Sequence, residues 1–119
     1  MTPAAFEKAA LALPGATVTV QWGDDRVYKV GGKMFAVLTG ESRSPRGASF
    51  KCSDLSFEML TKKQDVVPAP YLARAKWVML EHLHALPDAE IKARLGEAHR
   101  LVFEKLPKKI QAGITHGTG

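Results

Sequence analysis

Apolar positions along the 119-residue chain recur at two spacings, and the change from one to the other marks out the elements. Phe6, Ala9, Ala10 and Leu13 stand at i, i+3, i+4 and i+7, a single stripe on a helix that Thr2 caps and Pro3 opens. Pro14-Gly15 ends it. From Thr17 the spacing shortens. Residues 17–22, rich in β-branched and aromatic side chains, predict a strand, Gly23-Asp24-Asp25 a turn, and residues 27–30 a second strand. Gly31-Gly32 is a two-residue hairpin signal, because both glycines take positive φ freely, and residues 34–39 form the returning strand.

Residues 40–47 hold no apolar side chain and are bracketed by glycine, which predicts an exposed, mobile loop. A strand over 48–52 follows, then a helix capped at Ser53-Asp54 and reaching about Lys63. Pro68-Ala69-Pro70 reads as an extended connection, and residues 76–80 as a short strand. Ile91, Leu95, Ala98, Val102 and Leu106 keep helical spacing until Pro107, with Asp88 and Glu90 at the positive end of that helix. Consecutive short strands joined by tight turns require antiparallel pairing. The expected fold is α+β, a two-layer sandwich of one antiparallel sheet with helices packed on one face. Residues 1–110 make a single domain. Residues 111–119, with little to pack, are expected to be a flexible tail.

Composition narrows the class. With 45% hydrophobic and 24% charged residues the usage is that of an ordinary globular domain. One cysteine, Cys52, excludes an internal disulfide and a cysteine-built zinc site, and no apolar run reaches the length of a membrane span. No signal-peptide layout opens the chain, so a cytoplasmic protein is expected. The net charge of +5 is unevenly spread. Residues 26–63 carry eight basic and three acidic side chains, a net equal to that of the whole chain. Such a field attracts an anionic partner, nucleic acid being the most abundant.

The order of short motifs adds a resemblance. Trp22 precedes a turn and hairpin; Gly32-Lys33-Met34-Phe35-Ala36 forms the returning strand. Pro68-Ala69-Pro70-Tyr71, Trp77-Val78, Leu101-Val102 and Leu106-Pro107-Lys108-Lys109 follow in register. Across residues 4–110 the chain resembles the MmcQ/YjbR-like family, small proteins of frataxin-like (CyaY-like) α+β fold often described as DNA-binding. Ala98 and His99 stand where that family commonly shows a serine and an aromatic residue. The resemblance implies the fold and a DNA partner; it carries over no contact residue.

Candidate chemistry follows the charge. Arg43 and Arg46, with Ser44, Pro45 and Gly47, fit a wing lying against a phosphate backbone, since arginine offers paired donors to phosphate. Lys51 extends that patch on the next strand, and Lys29 and Lys33 flank the glycine hairpin. Lys62-Lys63 and Lys108-Lys109 are read as cations complementing helix carboxyl ends, and Arg94, Arg100 and Lys105 as ion-pair partners on a solvated face. His82 and His84 lack a third metal ligand, Cys52 reads as a buried small side chain, and Trp22 and Trp77 suit core or groove walls, with core the default. Phosphate loops, dinucleotide fingerprints and nucleophile elbows are absent. The expectation is a non-enzymatic DNA-binding module with no cofactor and no metal. A module that binds an acidic protein or small anionic ligand on its sheet is the alternative. Frataxin-like metal handling ranks third, because the first helix holds a single acid, Glu7.

Overall fold

A computed structural model describes residues 1–117. The chain runs α1 (Pro3–Leu11), β1 (Ala16–Gln21), β2 (Asp25–Val30), β3 (Lys33–Leu38), β4 (Ala48–Lys51), α2 (Asp54–Leu60), β5 (Val66–Pro68), a 3₁₀ turn (Ala73–Ala75), β6 (Trp77–Leu80), α3 (Asp88–Phe103) and α4 (Lys108–Gly117). Local chemistry accounts for the starts: Thr2 Oγ1 accepts the Ala5 N–H at 3.1 Å, and Ser53 Oγ accepts the Ser56 N–H at 3.1 Å. Gly31 and Gly32, at φ 57° and 80°, make the β2–β3 turn.

The six strands form one sheet in the order β1-β2-β3-β4-β6-β5, antiparallel throughout. The extended stretch before Ala69 is more than a connection. Val66–Pro68 is an edge strand, and β6 inserts between it and β4. Proline is admissible there because an edge residue can do without its ladder N–H.

α3 crosses β3 and β4, and α1 lies beside it. Between these helices and the sheet sits the main core, with Phe6, Tyr28, Phe35, Phe50, Leu38 and Ile91 fully buried. Each such side chain contributes about 1.5–3 kcal/mol by leaving water. A register shift in the β2–β3 pairing, between Tyr28↔Ala36 and Lys29↔Met34, directs both Phe35 and Ala36 into this core. A smaller cluster occupies the opposite face: Val27, Val37, Ala69 and Trp77, with Met34, Leu72 and Met79 packed against it.

Three expectations change. The last helix stops at Phe103 and a second begins at Lys108, so Lys108-Lys109 lie at a helix amino end rather than a carboxyl end. Residues 111–117 are not an unpacked tail: α4 continues through them, and Ile114 packs on the main core beside Gly15. Residues 118–119 of that expected tail lie outside the described residues. Arg94 forms the expected ion pairs, with Glu90 and Glu97, but Arg94 and Glu97 are half-buried rather than on a solvated face. Arg94 donates to Ser56 Oγ at 2.9 Å and Ser56 Oγ donates to Glu97, tying α3 to α2. Among the described residues, no helix is long and apolar enough to cross a membrane.

Candidate functional site

Strand register decides which of the predicted cations share a face. Lys29 pairs with Met34 and Lys51 with Trp77, and both partners belong to the smaller cluster opposite the helices. Directly paired residues point to the same side of a sheet. Lys29 and Lys51 therefore rise from the open face, where Lys51 Nζ also donates to the Ala75 carbonyl at 2.8 Å. Lys33 joins Lys51 and Met34 along a groove of about 300 Å³ that Lys105 and Leu106 complete. Beside it lies a cleft of about 510 Å³, floored by Met34, Val37, Ser49 and Met79. Arg43 lines the far end of that cleft with Thr39. Lys33 itself pairs with Val30 of the main core and so stands on the helix side; Lys29, Lys51 and Arg43 are the three predicted cations that border the open face.

Arg46 does not join them. Its Nε–H donates to the Thr39 carbonyl, and its charge stabilises the carboxylates of Glu7 and Asp24. The loop it was expected to arm is pinned at both ends. Thr39 and Gly47 exchange bonds, with Gly47 N–H donating to Thr39 Oγ1 and that hydroxyl donating to the Gly47 carbonyl, both at 2.7 Å. Asp25 accepts the Gly40 N–H at 2.8 Å, and Asp24 accepts the Ser42 N–H at 3.1 Å. The Ser42 amide, above all, holds the Asp24 carboxyl below its ordinary range. A Cβ at position 40 would stand 1.8 Å from Asp24 Oδ1, so a larger residue there displaces that carboxylate from its bonds to Ser42. Only residues 41–45 stay exposed, Arg43 among them.

Two aromatic residues border the same cleft. Trp22 was expected in the core as the last residue of a strand, but β1 ends at Gln21 and Trp22 enters the turn at φ 51°. The left-handed backbone breaks the strand alternation and leaves the indole 63% exposed. Tyr71, at φ 66° in the β5–β6 connection, is fully exposed. Bulky residues seldom occupy this region, and each such conformation costs about 1–3 kcal/mol. Trp77 lies in the smaller cluster as expected.

Elsewhere polar groups serve the scaffold. Glu7 on α1 receives two bonds from the Arg26 guanidinium and one from the Tyr28 hydroxyl at 2.9 Å. The Arg26 bond lowers the Glu7 carboxyl, while burial and the neighbouring carboxylate raise the Tyr28 phenol. Nothing in the sequence spacing marked this cluster, since Glu7 and Arg26 meet only when α1 docks on β2. His99 Nε2 lies 2.7 Å from the Pro14 carbonyl, with the ring edge-on to Phe35 and stacked on Phe103. His82 has both nitrogens engaged: Nδ1 accepts the His84 N–H, so Nε2 carries the proton toward Asp65 at 2.9 Å. Among the described residues, no three His, Cys, Asp or Glu side chains are grouped to hold a metal. Cys52 is buried, which pushes its thiol up to about 12.

Fold and surface together define a two-layer α+β protein whose sheet is roofed by helices on one side and bears a cation-bordered cleft on the other. The YjbR family model matches residues 11–101. The chain belongs to the YjbR family. It is similar in structure to Deinococcus radiodurans protein DR2400, described with a DUF419 domain, at TM-score 0.80 and 22% identity, covering 92% of this chain and 84% of that one. That likeness concerns the fold alone. No curated protein matches the chain.

Proposed function

We propose that this YjbR-family chain is a non-enzymatic module that binds nucleic acid, DNA in the first instance, by holding phosphates on the open face of its sheet. The observation that supports the reading is the convergence of Arg43, Lys29 and Lys51 on one surface, from segments distant in sequence. We leave Arg46 out of the contact set, because it lines neither the cleft nor the groove and its Nε–H is bonded within the loop. Lysine and arginine on phosphates position a strand without reading its sequence. Displaced counterions make such binding salt-dependent; three contacts weaken it roughly fortyfold between 50 and 200 mM salt.

The apolar floor of the cleft favours a second reading, a small anionic ligand seated on Met34, Val37 and Met79 and held by Arg43. Fluorescence anisotropy of labelled oligonucleotides across a salt series separates the two. A logarithmic salt slope of about two to three supports the strand reading, whereas a slope near one points to the small-ligand site. Absence of binding at low salt would overturn the nucleic-acid reading.

A further inference from the structure

The geometry points to an unpaired base as the occupant of the cleft, so that single-stranded nucleic acid is preferred over duplex; this deepens the proposed function and rests on it. Trp22 arrives from the β1–β2 turn and Tyr71 from the β5–β6 connection, segments belonging to opposite halves of the sheet. Both rings are exposed and both are held in left-handed backbone, away from the packed clusters. Between them the floor is apolar, and Arg43 stands at the rim.

That combination is complementary to one chemistry. A nucleobase is flat and weakly polar on its faces, so it gains by stacking on exposed rings above an apolar floor. Its phosphates remain charged and require cations beside the cleft rather than in it. Arg43 lies beyond the Leu38 end of β3, past Thr39, and Lys29 and Lys51 flank its Met34 end on the same face. The five residue steps from Met34 to Thr39, at about 3.4 Å each, separate these groups by roughly 17 Å, a span of roughly three to five nucleotides. Base faces inside a duplex are covered by their neighbours and cannot enter. A short acidic peptide meets the cations but has no use for the two rings.

The test compares four probes with the full chain by anisotropy at low salt: an oligothymidylate, the matched abasic strand, the matched duplex and thymidine monophosphate. The oligothymidylate is expected to bind tightest and to quench tryptophan emission. Trp22→Ala and Tyr71→Ala are each expected to weaken it by roughly five- to 150-fold, while Trp22→Phe, which keeps a ring, retains most of the affinity. Quenching is expected to disappear in Trp22→Ala. Equal binding of abasic and base-bearing strands, or a preference for duplex, overturns base stacking and leaves the phosphate reading standing. A monophosphate bound as tightly as the oligomer overturns the strand and assigns the cleft to a free nucleotide. If none of the nucleic acids binds, both proposals fall.

Discussion

Arg43 and Arg46 are three residues apart in one loop; Arg46 is bonded within the loop while Arg43 is exposed, and a pair of substitutions separates the proposed contact from the scaffold role. Arg46→Ala removes a charged donor from the Thr39 carbonyl and a cation from the neighbourhood of Glu7 and Asp24. A hydrogen bond to a charged group contributes about 1.5–3 kcal/mol when buried, and this half-buried one belongs near ~1–2 kcal/mol. For a chain of this length each kcal/mol moves the midpoint by about 4 °C, so Arg46→Ala is expected to lower Tm by about 4–8 °C. Arg43 uses only its backbone, donating its N–H to the Gly40 carbonyl at 3.1 Å, a bond alanine keeps. Its loss is expected to shift Tm by less than about 2 °C. Binding reverses the order. Arg43→Ala is expected to reduce the logarithmic salt slope by about 0.7 on a single strand and to weaken binding about fivefold at 0.1 M salt. Arg46→Ala, measured well below its Tm, is expected to keep the slope of the unmodified protein. Thermal melts and salt-series anisotropy on the two variants are the assays. If Arg46→Ala melts normally and loses slope as Arg43→Ala does, the loop is not pinned as described and Arg46 faces the ligand.

Other expectations concern the scaffold. The Glu7 carboxyl is held below its ordinary value near 4.5, so its contribution to stability is full above that pH and is lost as pH falls through the lowered value. Urea unfolding of Glu7→Gln is therefore expected to show a clear deficit at neutral pH that shrinks in strong acid; a deficit independent of pH refutes the assignment. Cys52, buried with its thiol raised to about 12, is expected to react with a thiol reagent at neutral pH only on unfolding, and rapid labelling of the folded protein contradicts this. Ile114→Ala is expected to cost about 1–2 kcal/mol, because the half-buried side chain packs on the core beside Gly15; an unchanged melt returns α4 to the status of a loose tail.

Much of the fold was legible in residue spacing because the forces behind it are local. The caps at Thr2 and Ser53, the Gly31-Gly32 turn and the helical stripe from Ile91 to Val102 each depend on groups within a few residues of one another. Periodicity states which face of an element is buried; it is silent on the neighbour that buries it. The insertion of β6 between β4 and β5 needed the whole sheet, as did the conversion of Val66–Pro68 from connection to edge strand. Charge counting pointed to the middle third of the chain, yet only register placed Lys29 and Lys51 on the face opposite the helices. Trp22 was misread because one left-handed residue ends strand alternation, and hydrophobicity carries no record of φ. Arg43 and Arg46 are the same chemical group in the same loop. What separates them is that the Thr39 carbonyl lies within reach of one guanidinium, a position set by the β3 strand and its closing bonds to Gly47.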